Sequence, residues 1–398
     1  MRKLLISALD GYRAASRWWL KRRGLTPEDA AEARVVSGEA WAEFCDTLKA
    51  AGATLSFPGT PQGAFDQAEG YRYLSRLARA GLEAFVEHAD PARPVLHRVV
   101  HETVKMGSDN PDNYYMTAAI SGAYEYRIRG RRGTVSYLGF GTQKGGYGRS
   151  GGLPPTGYLE ASELEIADDG SFEIIISARR QQGVNWLPMT AESGTLIVRQ
   201  TFLDRETERL AELEIECLSP EATPSQLTPA ALEEGLRTTG MFVAGASLLF
   251  ARWAQGFQRH SNQLPLFDPE RSNRAGGDPN IRYYHSHWAL APDEALVIEA
   301  TPPPCEHWNF QLNNYWMESL DYRHYRIHLN KHTARYEADG AVRIIVAHRD
   351  PGLPNWINTV GHSSGTMCFR WVRAEHHPQP QTRVVRFSEL AAIADGGA

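Results

Sequence analysis

The sequence predicts a mainly β protein: two related jelly-roll-like β-sandwich units with a helical N-terminal segment and a helical linker between them. Three observations carry this. Apolar spacing changes from helical to alternating near residue 106, the alternating texture pauses for one helical interval and then resumes, and the two β stretches align with each other. The expected boundaries are 1–105 for the helical segment, 106–220 for the first β unit, 221–265 for the linker and 266–398 for the second β unit.

Taken in order, Thr26 reads as an N-cap with Pro27 at the first helical position, and Trp41, Phe44 and Leu48 follow at helical spacing until Gly52. A second helix begins after Thr60-Pro61, keeps Leu74, Leu77, Leu82 and Phe85 near one face, and stops at Asp90-Pro91. A third short helix is expected to hold His97 and His101 one turn apart. From Asn110 onward, β-branched and aromatic runs are separated by Gly, Pro and Asp-Gly turns, as in antiparallel sheet. The helical interval spans about 225–260 and opens at Thr228-Pro229.

The repeat is the most informative feature. The segment starting at Ala167 aligns with the segment starting at Glu337: Asp169-Gly170 falls on Asp339-Gly340, Ile174-Ile175 on Ile344-Ile345, and Asn185-Trp186 on Asn355-Trp356. After one extra residue in the second copy, Gly194-Thr195 falls on Gly365-Thr366 and Arg199 on Arg370. Upstream the match is weaker, with Tyr114-Tyr115 placed on Tyr283-Tyr284. Arginines that recur in both copies suggest a shared structural role. The strings NPDNYY at 110–115, YRIRG at 126–130, HRDPGLPNW at 348–356 and the closing GTMCFRWV resemble bacterial proteins carrying the domain of unknown function 1214, often found beside a related domain, 1254. The resemblance spans most of 106–375 and implies jelly-roll-like β domains. It implies no activity.

Composition narrows the function. A formal charge of -5 and a pI near 6.3 offer no overall basic surface, so no nucleic-acid partner is expected. Four well-separated cysteines indicate neither a disulfide framework nor a zinc ribbon. The opening MRKLLISALDGYR has too short an apolar run for a signal peptide, and Met241 to Ala254 is too short to span a bilayer, so a cytoplasmic location without membrane contact is expected. Two strings mimic known sites. Gly361-His362-Ser363-Ser364-Gly365 has nucleophile-elbow spacing but precedes a strand, and Gly146-x-Gly148-x-x-Gly151 has dinucleotide spacing but runs into Pro154-Pro155. Both read as loops.

Ten of the fourteen histidines lie between His285 and His377. In the frame above, His285 falls on Met116, His287 on Ala118 and His348 on Ala178, so one copy is apolar where the other carries imidazole. If these three rings line one end of the second unit, they are candidate catalytic residues together with Asp350, or, if a divalent metal is present, its ligands. No other cofactor is expected. Tyr284, Asn313, Asn314, Trp316, Arg349 and His362 are the candidate substrate contacts, set in an aromatic-rich region suited to a flat or apolar molecule. The expected function is an enzyme, a hydrolase or lyase acting on a small, largely apolar or aromatic compound in the second β unit. The alternative is a non-catalytic protein that binds a small molecule or carbohydrate. A homo-oligomer is compatible with either.

Overall fold

The computed structural model describes residues 26–147, 152–182, 185–223 and 226–394. Helix α1 (Pro27–Val36) starts in a capping box, with Thr26 Oγ1 accepting from Asp29 N and Asp29 returning a bond to Thr26 N. The helical run expected to continue to Gly52 instead breaks at Gly38, whose φ of +79° suits glycine. Helix α2 (Glu39–Ala51) then buries Phe44 and leaves Trp41 59% exposed. Helix α3 (Ala64–Leu82) buries Gly70, Tyr73 and Leu77. Helix α4 (Pro229–Phe257), N-capped by Thr228, buries Phe242, Phe250, Trp253 and Phe257. The last three of these helices form one apolar layer with Tyr315 and Trp316 from the second β unit. Among the described residues no helix is long and apolar enough to cross a membrane.

The helix expected around His97 and His101 does not form. His97 bridges Thr117 and His101 bridges Val104, so the open edge of the following strand captures a segment rich in β-branched residues.

The first unit comprises β1 (Asn113–Ala119), β2 (Tyr126–Arg131), β3 (Tyr137–Lys144), β4 (Pro155–Glu160), β5 (Ser171–Ser177), β6 (Asn185–Pro188), β7 (Ser193–Thr201) and β8 (Glu212–Cys217). The second comprises β9 (Ile281–Ala289), β10 (Glu294–Ala300), β11 (His307–Asn313), β12 (His328–Asn330), β13 (Val342–Ala347), β14 (Trp356–Asn358), β15 (Ser364–Val372) and β16 (Gln381–Arg386). Sheet orders are β1-β7-β3-β4 and β6-β5-β2-β8 in the first unit, and β9-β15-β11-β12 and β14-β13-β10-β16 in the second. The orders correspond strand for strand. Each unit closes its own apolar core between its two sheets, so the protein is mainly β and built on a duplicated sandwich.

Strand register corrects one part of the alignment. Tyr115 pairs with Arg199 and Tyr283 pairs with Arg370, so Tyr283 corresponds to Tyr115 rather than to Tyr114. His285 therefore corresponds to Thr117, and His287 to Ala119. A one-residue slip moves every side chain to the opposite face of a strand. Met116 and Ala118 look into the first sandwich, whereas His285 packs against the helical layer outside the second.

Candidate functional site

The sheets β1-β7-β3-β4 and β9-β15-β11-β12 turn their outer faces toward each other. Because side chains alternate along a strand, this seam receives Tyr115, Arg199, Gly139 and Gly141 from one side, and Tyr283, His285, Asn309, Gln311, Cys368 and Arg370 from the other. Each unit inserts an Asx-Pro turn into it. In the first, Asp112 N donates to Asn110 Oδ1 and Asn110 N to Tyr115 Oη. In the second, Asn280 N donates to Asp278 Oδ1 and Asp278 N to Tyr283 Oη.

The turns dock reciprocally. Asp278, fully buried, accepts from Tyr137 Oη and Tyr158 Oη of the first unit at 3.0 Å each, and Asn280 donates to Glu160 at 2.8 Å. Asp112, equally buried, meets the second unit: His328 Nε2 at 3.1 Å, Asn330 Nδ2 at 3.0 Å and Asn309 Nδ2 at 2.9 Å. Burial alone would raise the Asp112 carboxyl, but the adjacent His328 and His307 outweigh it and hold the group at about 2. His307 Nε2 stands 3.3 Å from Asp112 without hydrogen-bond alignment, and burial pushes this imidazole down to about 4.

Between the two turns lie the arginines of the repeat. Arg370 donates three bonds to neutral groups: Nη1 to Asn309 Oδ1 and Gln311 Oε1, and Nη2 to the Ser108 carbonyl. Arg199 is 7% exposed and donates from Nη2 to Gly276 O at 2.6 Å, while its Nη1 stands 3.8 Å from Asp278 Oδ2, too far for a hydrogen bond. Tyr115, Tyr147 and Tyr283 lie among these groups with protein on every side, so burial pushes all three phenols up, yet each keeps part of its surface accessible. Solvent-sized space therefore reaches all three side chains. His285 stacks between Tyr283 and Phe257, with ring centroids 5.5 and 5.7 Å away, and its Nδ1 has no partner. Burial, with Arg370 nearby, pushes this imidazole down to about 3, so it is neutral at pH 7. Burial also pushes the neighbouring Cys368 thiol up to about 11.

The candidate residues read from the sequence are distributed rather than gathered. His285 and His287 face the helical layer, where His287 Nδ1 meets Ser261 Oγ at 2.8 Å and burial pushes its ring down to about 4. His348 ends the core face of β13 in the other sheet, its ring bound to Thr359 Oγ1 and Leu290 O. The sheet containing β9 thus separates His348 from the other two, and the expected convergence of three imidazoles is corrected. The slipped frame had assigned His285 and His287 to the wrong face. Among the described residues no group of three or more His, Cys, Asp or Glu is placed to hold a metal ion. Asp350 caps an exposed turn through Gly352 N, and Arg349 lies over Phe387.

Tyr284 belongs to the second sandwich's core, which its aromatics fill: Trp308 and Phe369 stack at 5.6 Å, and Tyr284 Oη donates to the His377 carbonyl. The expected aromatic cavity inside this unit is therefore packed core. Asn313 reaches the seam's edge, where its Nδ2 donates to Ser108 Oγ. Asn314, Trp316 and His362 instead anchor α3: Asn314 Nδ2 and His362 Nε2 both bond Glu69 Oε2, at 3.2 and 2.6 Å, and Trp316 Nε1 donates to Asp66 O. The Gly361–Gly365 string is a turn entering β15, as read from sequence. Part of the Gly146–Gly151 string, 148–151, lies outside the described residues.

Arg199, Tyr115, Tyr147 and Asp278 were not singled out as site residues. The repeat held the signal for two of them, since Asn110-Pro111 and Asp278-Pro279 precede corresponding strands and the two arginines recur.

Fold and seam together define a duplicated β-sandwich protein whose units share one polar interface under a helical layer. The chain belongs to the family described as Protein of unknown function (DUF1214), which it matches over residues 156–201 and 292–376, a stretch in each unit. It is similar to an uncharacterized protein of solved structure from Burkholderia cenocepacia, at 52% sequence identity over 89% of this chain and 99% of that one, with a TM-score of 0.87. A second solved structure, the VPA0106 protein from Vibrio parahaemolyticus, shares 11% identity over 80% of this chain and 98% of that one, with a TM-score of 0.46. No curated protein matches the chain.

Proposed function

We propose that this protein binds a small organic molecule in the seam between its two β units. The observation that carries the reading is the accessible surface of Tyr115, Tyr147 and Tyr283 beside a guanidinium with unused donors. Binding sites are commonly concave and apolar-walled with a few convergent polar groups, and they favour junctions between domains. Here Phe250 and Tyr147 supply apolar wall, with rings 5.6 Å apart, and the tyrosine hydroxyls supply polar contacts.

A hydrolase or lyase is the second reading, favoured by the free Nδ1 of His285. An imidazole held at about 3 is a weak base at neutral pH, because general-base efficiency peaks when the group's pKa lies near the operating pH. Binding is therefore placed first. A thermal-shift screen of the purified chain against small aromatic and aliphatic acids, amides, alcohols and sugars tests it. A compound that stabilises the native protein but not a Tyr115→Ala/Tyr283→Ala variant supports the reading. Equal stabilisation of both proteins, or of neither by any compound, overturns it, and turnover of a stabilising compound would favour the enzyme.

A further inference from the structure

Arg199 is costly to place where it is. A buried guanidinium normally spends its donors on acceptors, and Arg370 on the facing sheet makes three such bonds. Arg199 makes one bond, to Gly276 O, and holds Asp278 at 3.8 Å. That carboxylate is already engaged by two tyrosine hydroxyls. Arg199 therefore keeps N–H groups without a hydrogen-bond acceptor, close to Tyr115 and Tyr283. Each of these tyrosines accepts a backbone N–H from its own Asx-Pro turn, which leaves its hydroxyl proton free to donate. The lining thus offers donors in excess and calls for an acceptor-rich partner.

Charge bears on the partner as well. The anions near the two arginines are already taken up: Asp278 by the two tyrosines, Asp109 by Lys105 and by Ser319 N and Oγ, and Asp112 by His328, Asn309 and Asn330. Arg199 is left with no carboxylate within hydrogen-bond distance, and a single carboxylate would supply that partner. A planar carboxylate matches a guanidinium fork. Beside it, the partly accessible Tyr115, Tyr147 and Tyr283 offer aromatic surface to a carbon skeleton.

We propose that the seam receives an organic monocarboxylate, its carboxylate held by Arg199 and the hydroxyls of Tyr115 and Tyr283, its skeleton lying against the accessible tyrosine rings. This deepens the binding reading above and rests on it.

Calorimetric titration of the full chain with benzoate, benzamide and inorganic phosphate tests the inference. Benzoate is expected to bind and benzamide, its uncharged counterpart, to bind at least tenfold more weakly. Loss of charge-assisted bonds in Arg199→Gln should weaken benzoate by about tenfold to a hundredfold. Because Arg199→Gln also empties a buried site, Tyr283→Phe serves as the second variant. It removes one hydroxyl, keeps the stack, and should weaken benzoate several-fold while leaving benzamide unchanged. Benzamide binding as tightly as benzoate would overturn the carboxylate assignment and leave the binding reading standing. Tighter binding of phosphate would overturn it in favour of a dianion. If none of the three binds, the monocarboxylate proposal falls. The broader screen described above then decides whether the binding reading falls with it.

Discussion

Asn355 and Asn185 perform the same task in the two units. Asn355 Oδ1 accepts from Arg335 N while its Nδ2 donates to Arg335 O and Arg343 O, and Asn185 repeats the pattern with Glu165 and Glu173. The recurrence of Asn-Trp was legible in the sequence, but its purpose was not, since three hydrogen bonds to distant backbone leave no local pattern. Asn355 is buried and adopts a φ of +57°, so Asn355→Ala should lose about 2–3 kcal/mol in urea unfolding, from stranded backbone groups and a strained alanine. His362 shows the opposite case, a residue noticed for binding that serves docking. Burial would lower its imidazole, but Glu69 outweighs this and raises it; burial would raise Glu69, and His362 outweighs that and lowers it. The contribution of His362 is complete below the ordinary imidazole value of about 6.5 and is lost as pH rises through its raised value. That of Glu69 is complete above about 4.3 and is lost as pH falls through its lowered value. The stability gap between the wild type and His362→Gln should therefore be widest between about pH 4.5 and 6.5, near 3 kcal/mol, and chemical unfolding across pH measures it.

At the scale of elements, helix α3 illustrates why propensity alone misleads. Glycine inside a helix costs about 1 kcal/mol relative to alanine, yet a Cβ on Gly70 would lie 2.7 Å from Leu55 and 2.9 Å from Trp316. The glycine is there so that α3 can approach the second β unit closely. Gly70→Ala should accordingly destabilise the protein by about 1–3 kcal/mol, whereas Gly256→Ala on α4, where nothing lies within 4 Å, should stabilise it by up to about 1 kcal/mol. Paired thermal unfolding of the two variants checks the contrast, and equal signs would contradict it. Strands were legible in kind and less so in phase. The Asp-Gly turns pinned the frame of β5 and β13, where Gly170 and Gly340 have φ of +84° and +83°. No such pin exists before β9, and a frame wrong by one residue sent its histidines to the sandwich interior instead of the outer face under the helical layer. The candidate site was missed for that reason, together with the fact that it is assembled from both units at once.

For the whole molecule, the many buried imidazoles set the response to acid. Burial holds His285, His287 and His307 at about 3, 4 and 4, below their unfolded value of about 6.5. The stability they lend is complete above that value and is lost as pH falls, because the unfolded chain then binds up to three more protons. Between about pH 6.5 and 4 their combined effect approaches 4 kcal/mol per pH unit. Acid unfolding should begin well above the carboxylate range, and His287→Asn should reduce the slope of unfolding free energy against pH by about one proton. An unchanged slope would contradict this. The docking of the two Asx-Pro turns has a consequence in the language of oligomers. Each unit gives the other what it receives, which is the contact pattern of an isologous two-fold dimer interface written within one polypeptide. A true dimer must keep its two centres identical, because one sequence builds both. Fusion lifts that constraint: Asp112 meets Asn330 at one centre while Asn280 meets Glu160 at the other, and the histidines His307 and His328 stand where the first unit has Tyr137 and Tyr158. The single chain thereby owns an asymmetric interior, with an imidazole-rich end and a phenol-rich end, and this polarity would give one orientation to whatever enters between them.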